Sequence, residues 1–353
     1  MLKNKKQWAL TLLAGTSYIL SLSGTILAQT PQVPSAPLSA NDPAAKLDPA
    51  LVDVPAQPLP ANTSAQTRTN SNAPVSAVSY DLKTGKAQVI APSAVATSST
   101  SSTVSDPSPG LSPNIKTEPP TGVQAPIGGV KPNSIIGADN RVKITNTTDS
   151  PWRTITKLYM TYPNGKTYVC SGTLIAAKYV LTAGHCLHDK AQGGWAKKVE
   201  VIPGLKGTYK PYGSAYATKF RSYTNWTSSR DSNYDIALIT LDRSIGSTTG
   251  WLGYTTYSTV NGLTGHIAGY PAEKDSGLYL YYHSGLIASS NSYRLYYPID
   301  TSGGQSGSSI YRINNSKRYV FGVHTTGSTS SNGGTRLDSK KFNDIKSWIG
   351  SGQ

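Results

Sequence analysis

Short apolar runs separated by turn residues dominate residues 134–336, with breaks such as Pro163-Asn164-Gly165 and Pro203-Gly204 between them. Turn signals recurring about every eight to twelve positions, in a stretch rich in Trp, Tyr, Ile and Leu, predict an all-β fold. The runs fall into two sets, one ending near residue 250 and the other beginning at Trp251. Two sets of this kind imply two packed antiparallel β-barrels with a cleft between them. Within the first set, the half of Cys170–Cys186 before the turn at Ala177 and Lys178 is small and apolar, and the half after it is β-branched and aromatic. Two adjacent strands are expected there, with His185 just past the end of the second. The period changes near the C-terminus, where Phe342, Ile345, Trp348 and Ile349 recur at three and four residues. A helix over residues 339–349, stopped by Gly350, follows.

The first third of the chain reads differently. Residues 29–133 are dominated by Pro, Ser, Ala, Thr, Gln and Asn, and the run 97–103 is only Ser and Thr. Such a segment buries too little apolar surface to offset its ordering entropy, so a largely disordered propeptide is expected. One island departs from this: Val75, Val78, Tyr80, Val89 and Ile90 alternate around Thr84-Gly85. They read either as a hairpin that meets the folded domain or as a chance apolar patch. Lys3, Lys5 and Lys6 precede an apolar stretch from Trp8 to about Leu22, and Ala28 offers a small residue for cleavage, so residues 1–28 read as a signal peptide. An uncleaved anchor is the rival, but Thr11, Gly15, Thr16, Ser17, Ser21, Ser23 and Gly24 make a poor span. A secreted, extracellular protein is expected, divided as 1–28, 29–133 and 134–353, with no membrane contact after processing.

Two cysteines in an exported chain fit one disulfide, Cys170 to Cys186, worth about 3 kcal/mol in the chain-entropy account. Unpaired buried thiols are the other reading. The net charge of +15 would suit nucleic acid, but the basic residues are scattered in runs no longer than two, so no nucleic-acid partner is expected.

Candidate chemistry lies in three stretches. His185 closes Leu181-Thr182-Ala183-Gly184-His185; Asp235 stands at the edge of an apolar run, Asp235-Ile236-Ala237-Leu238; and Ser306 sits in Gly303-Gly304-Gln305-Ser306-Gly307-Ser308. The order His, Asp, Ser is one of the few in which the acyl-transfer triad occurs. A serine hydroxyl needs a base to take its proton during attack, which His185 would supply while Asp235 holds its tautomer. Asp231 and Asp242 lie in more polar surroundings. The amides of Gly304 and Ser306 would form the oxyanion hole. His188, His266 and His283 have no partner spacing, zinc-type spacings are absent, and neither a metal nor another cofactor is expected.

These three stretches, TAGHC, DIAL and GGQSGS, resemble the His, Asp and Ser motifs of chymotrypsin-superfamily serine proteases. Residues 134–348 as a whole, including IIGADNRVKI and GVHTTG, are similar to the bacterial glutamyl endopeptidases. The resemblance implies a chymotrypsin-like fold and a serine endopeptidase acting on proteins and peptides as a monomer. It also implies a mature N-terminus at Ser134, made by another protease acting in trans, and a P1 glutamate carboxylate received by His324, Thr301 and the new α-amine. A His and a hydroxyl can each donate a hydrogen bond to a desolvated carboxylate. Asp300, six before Ser306, keeps a trypsin-like preference for Lys or Arg open, although the neutral Gln305 cannot form the ion pair that switches trypsin-like zymogens. An inactive adhesin on a protease scaffold is the rival from another class. The chain holds three glutamates, Glu118, Glu200 and Glu273, as a Glu-cutting enzyme would favour.

Overall fold

The computed structural model describes residues 36–58, 75–90, 104–105 and 135–350. The signal segment 1–28, the run 97–103 and Ser134 lie outside the described residues. The residues before 134, the expected propeptide, contribute β1 (Ala77–Asp81), β2 (Lys86–Ile90) and β3 (Val104–Ser105), and β4 (Val142–Lys143) follows. Next come β5 (Ile155–Thr161), β6 (Thr167–Ala176) and β7 (Tyr179–Thr182), then a small hairpin of β8 (His188–Asp189) and β9 (Gly194–Trp195). The first half ends with β10 (Lys198–Pro203), β11 (Ala215–Tyr223) and β12 (Ala237–Leu241). The second half holds β13 (Gly253–Thr255), β14 (Thr264–Gly269), β15 (Tyr281–Leu286), β16 (Ser289–Ser290), β17 (Arg294–Tyr297), β18 (Ser309–Asn314), β19 (Lys317–Thr326) and β20 (Asn332–Arg336).

The strands β10-β5-β6-β7-β12-β11 form one antiparallel sheet that closes through a β10–β11 pairing. The second sheet runs β16-β17-β20-β19-β18-β14-β15-β4 and curls into a half-barrel, with β13 alongside β19. Leu158, Met160, Leu174, Val180, Val201, Phe220 and Leu238 fill the first barrel, and Ile267, Leu295, Tyr297, Ile310 and Phe321 fill the second. A third cluster joins the halves, with Ile155, Tyr159 and Val169 from one packed on Ala268, Tyr270, Leu280 and Tyr282 from the other. Each such apolar side chain taken from water contributes about 1.5–3 kcal/mol, so this cluster fixes the cleft walls relative to each other.

The C-terminal helix spans Ser339–Gly350. Its buried Phe342 and Trp348 rings lie 5.3 Å from Tyr254 and 5.4 Å from Tyr223, so it clasps β13 and β11, one from each half. The expected hairpin is present as β1 and β2, and β1 extends the first sheet along β11, with Ala77 opposite Tyr223. Tyr80 anchors it by stacking on Trp195 at 5.4 Å. Residues 36–58 carry structure that their composition did not signal. Asp42 and Asp48 each cap a short turn that begins with proline, accepting from the amides of Ala44 and Ala50, and Ala45 and Leu47 are buried.

Candidate active site

Cys170 on β6 is bonded to Cys186, tying the strand to the turn Gly184–Cys186 that carries His185 just beyond β7. Tyr162 adds a second tie by donating its hydroxyl to the Cys186 carbonyl at 2.8 Å. A turn held at both ends keeps the imidazole in place without help from substrate. Asp235 stands between the turn Ser232–Tyr234 and β12 and is fully buried. One carboxylate oxygen accepts the His185 backbone N–H at 2.9 Å and the other lies 2.8 Å from His185 Nδ1. The proton therefore sits on Nδ1, which leaves Nε2 with a free lone pair, the form a general base needs. Asp231 caps the turn before Asp235, and Asp242 accepts the Tyr216 amide, so neither is available to His185.

Ser306 is brought beside His185 through backbone contacts. Its carbonyl accepts the Ser171 amide at 2.8 Å and lies 3.7 Å from the Cys186 sulfur, which as a disulfide sulfur is a packing neighbour and not a donor. Gly304 has φ +94°, and a Cβ there would stand 2.5 Å from the Tyr270 carbonyl oxygen. Gly307, at φ +85°, presses on Thr182 and Ser171 with no room for a side chain. Both positions require glycine, and they let the loop pass tightly under the cleft. The Gly303 carbonyl is taken by the Ala272 amide and the Gly304 carbonyl by Ser171 Oγ. Ser306 Oγ and His185 Nε2 are both buried without a hydrogen-bond partner among the described residues, and no hydrogen bond joins them. Such looseness is common where the bond tightens only on substrate.

Sequence reasoning missed the clamp beneath this loop. Buried Arg141 donates to Ser302 Oγ at 2.7 Å and Gln305 Oε1 at 2.8 Å, and pairs with Asp139 and Glu273. Glu273 also accepts from Ser302 Oγ at 2.5 Å. The charged hydrogen bonds lend the nucleophile loop a rigidity that its glycines do not. Only the position of Arg141 inside IIGADNRVKI hinted at this.

His324 on β19 and Thr301 are fully buried. His324 Nδ1 lies 2.8 Å from the Tyr297 hydroxyl, while His324 Nε2 and Thr301 Oγ1 have no hydrogen-bond partner among the described residues. Burial, aided by the nearby His185 and Arg294, pulls His324 from 6.5 down to about 3, so its ring is neutral near neutrality. Burial raises the Tyr297 phenol well above its ordinary value, so it stays a donor. Tyr297 then gives its proton to Nδ1 and leaves the His324 hydrogen on Nε2. Arg294, also buried, donates to the Ser232 carbonyl and to Thr325, Thr335 and Thr326 hydroxyls, which places its cation within electrostatic reach of His324 and of the Asp235 carboxylate.

Asp300 is buried, and both carboxylate oxygens are engaged at 2.9 Å, one by the Ile136 amide and the other by the Asn140 amide. Its own amide donates to His283 Nδ1 at 2.8 Å, so that nitrogen carries no proton and the nearby His283–Asp300 contact is not an ion pair. Asp300 thus fastens the start of the folded domain to the nucleophile loop. Cys170, His185 and Cys186 place three possible ligand atoms together, but both sulfurs are in the disulfide and offer no thiolate to a metal.

The trypsin family matches residues 141–349. Over 232 residues the chain is 39% identical to a Bacillus subtilis (strain 168) protein named extracellular metalloprotease, covering 65% of this chain and 74% of that one. It is 39% identical over 229 residues to the glutamyl endopeptidase of Bacillus licheniformis, covering 62% and 70%. A solved Glu endopeptidase in complex with MPD superposes with TM-score 0.56 at 32% identity, covering 61% of this chain and 98% of that one. The protease Anisep of Arthrobacter nicotinovorans gives TM-score 0.50 at 26% identity, covering 59% and 96%. The chain belongs to the trypsin family and is a serine endopeptidase. Peptides or proteins are its substrates. The word metalloprotease is the name of the subtilis relative, and the His-and-cysteine group above does not supply a metal's donor set. Among the described residues no helix is long and apolar enough to cross a membrane.

Proposed function

We propose that the protein is exported and cuts peptide bonds after glutamate, and more slowly after aspartate, using His185, Asp235 and Ser306. Ser306 Oγ attacks the scissile carbonyl carbon and passes its proton to His185 Nε2, while Asp235 steadies the imidazolium. The amides of Gly304 and Ser306 hold the oxyanion, each worth roughly 3 kcal/mol. His185 then returns the proton to the leaving amine, an acyl-enzyme remains, and water, deprotonated by His185, releases the acid.

The observation that carries the specificity is the pair of buried, unpartnered donors, His324 Nε2 and Thr301 Oγ1, in a site with the Arg294 cation nearby and no free carboxylate. Two neutral donors and a nearby positive charge suit a carboxylate, and leaving the donors unpaired disfavours side chains that cannot accept from them. Asp300, the residue a trypsin-like preference would need, has both oxygens on the backbone of 136–140. An α-amine at Ser134 would add the remaining charge, since Ile136 already docks on Asp300. An aspartate side chain reaches one methylene less far, which makes it the poorer substrate. A digest of a denatured protein mixture, with fragment ends read by mass spectrometry, tests this: termini after Glu are expected, and termini mainly after Lys or Arg would overturn it. A fluorophosphonate probe should label the processed protein and fail on Ser306→Ala; labelling that survives the substitution refutes the role of Ser306.

A further inference from the structure

Residues 36–57 of the leader follow a continuous path onto the cleft. The Leu47 amide donates to the Thr208 carbonyl at 2.7 Å and the Lys210 amide to the Ala45 carbonyl at 2.6 Å, and Leu51, Val52, Val54 and Ala56 pack on the cluster that joins the two halves. The segment then pairs with β6. The Val169 amide donates to the Pro55 carbonyl at 2.8 Å, and the Gln57 amide donates to the Val169 carbonyl at 3.0 Å. Val169 immediately precedes Cys170, whose disulfide holds the His185 turn. On the opposite wall, a Cβ built on Gly303 would stand 3.1 Å from Ala56 Cβ, three residues before Ser306. Gln57, 1% exposed, donates from Nε2 to Asp189 Oδ2 at 3.0 Å, a bond to a charged acceptor inside the fold. Main-chain pairing on both sides of one residue, a side chain seated in a buried pocket and an apolar approach are the marks of strand addition to a sheet edge.

The position of this strand decides what it does. With His324 and Thr301 assigned to the acyl side of Ser306 as proposed above, the wall formed by Val169, Cys170 and Gly303, on which residues 55–57 lie, is assigned to the leaving half of a peptide. We propose that residues 54–57 are bound in the leaving-group side of the cleft and block peptide substrates there, so that the leader inhibits the enzyme until it departs, even after the chain has been cut before Ser134. This rests on the assignment of Ser306 as nucleophile but not on glutamate preference. Residues 54–57 contain neither glutamate nor aspartate, so the docked stretch is not itself a cut site for the proposed specificity.

The test uses the full chain processed by a protease in trans, followed by gel filtration in mild denaturant to remove the leader, and a synthetic peptide of residues 36–58. Two substrates carry the P1 residue found in the digest, one continuing two residues past the scissile bond and one ending in a small anilide. Removing the leader should raise activity on the long substrate at least tenfold. Adding the peptide should restore inhibition of the long substrate and affect the anilide far less, and peptides with Gln57→Ala or Ala56→Arg should bind about tenfold more weakly or worse. No gain on removing the leader, equal inhibition of both substrates, or full potency in the Ala56→Arg peptide would each overturn the proposal. If the digest shows another P1 residue, the glutamate reading falls while this test proceeds unchanged. If Ser306→Ala remains active, the nucleophile assignment falls first.

Discussion

Tyr297→Phe removes a single oxygen atom that touches no substrate, and it should alter specificity. In the wild-type protein the phenol sits 2.8 Å from His324 Nδ1 and keeps the hydrogen of the neutral ring on Nε2, the nitrogen left without a partner among the described residues. Without the phenol, the ring must either keep that tautomer with a buried, unsatisfied Nδ1, costing about 1–3 kcal/mol, or move the hydrogen to Nδ1. The second choice turns a lone pair toward the incoming carboxylate. The first choice weakens the fold and leaves the donor in place; with the second, kcat/KM for glutamyl substrates should fall by about tenfold to a hundredfold, which corresponds to about 1.4–2.8 kcal/mol. A glutamine side chain can present its NH2 to a lone pair, so the Glu-to-Gln preference should narrow more than activity falls. The rate of labelling by a small fluorophosphonate, which makes no use of His324, should stay within about twofold. The assay is therefore kcat/KM on paired Glu and Gln peptides alongside labelling kinetics. An unchanged Glu-to-Gln ratio would show that Tyr297 only fills space, and an equal loss of labelling would show that the substitution had disturbed the catalytic centre instead.

His324→Ala should lower kcat/KM on Glu peptides by about tenfold to a hundredfold, the worth of a charged hydrogen bond, with labelling again spared; an unaffected value would place the carboxylate elsewhere. Asp300→Asn turns one acceptor into a donor against the amides of Ile136 and Asn140, and should lower stability by about 1.5–3 kcal/mol by denaturant titration without creating cleavage after residues other than Glu. Cleavage that becomes unselective would instead make Asp300 a P1 determinant. Burial lowers His266 from 6.5 to about 4, where its Nδ1 meets the Tyr282 hydroxyl at 2.8 Å. The unfolded chain then binds that proton first, so His266 draws down stability as pH falls from about 6.5 to about 4, by roughly 2–3 kcal/mol, and has no pH effect above that window. The wild type should thus lose more stability than His266→Phe between pH 7 and pH 4, and parallel curves would refute the shift.

The stretches around His185, Asp235 and Ser306 could be singled out because each signal is local: a residue at a strand end, an acid entering an apolar strand and a serine among glycines that close approach to Tyr270 and Ser171 makes obligatory. The helix was legible for the same reason, through a period within one turn-by-turn pattern. Arg141, Glu273, Ser302 and Gln305 carry no such signal, because their bonds join residues far apart in sequence and each looks like an ordinary surface residue. Tyr297 follows Tyr296, and only the register of β17 against β20 decides which ring is buried under His324. That only one barrel closes depends on which strand edges meet, which apolar patterning does not encode. In the leader, the repeated Asp-Pro-Ala of 42–44 and 48–50 was a usable sign of capped turns, hidden by a composition that otherwise reads as disordered.

Activation follows from what the uncut chain already contains. With the leader in place, His185 and Asp235 are bonded, Arg141 clamps the nucleophile loop, and Asp300 holds the amides of 136 and 140. Cutting therefore has little to build at the nucleophile. On the proposals above, what it adds is charge beside His324 and Thr301, through the α-amine of Ser134, and release of the strand on β6. The precursor should accordingly react slowly but detectably with a small fluorophosphonate while failing on Glu peptides. The expected cut, Asn133-Ser134, does not follow a glutamate, and Glu118 upstream is followed by Pro119. Another protease should therefore be required, and a Ser306→Ala precursor should be processed in the presence of the host's other secreted proteases while purified wild-type precursor stays intact. Unaided maturation of the wild type at Asn133, with the Ser306→Ala chain remaining full length, would mean that the pocket built from His324 and Thr301 is less selective than its two unpaired donors require.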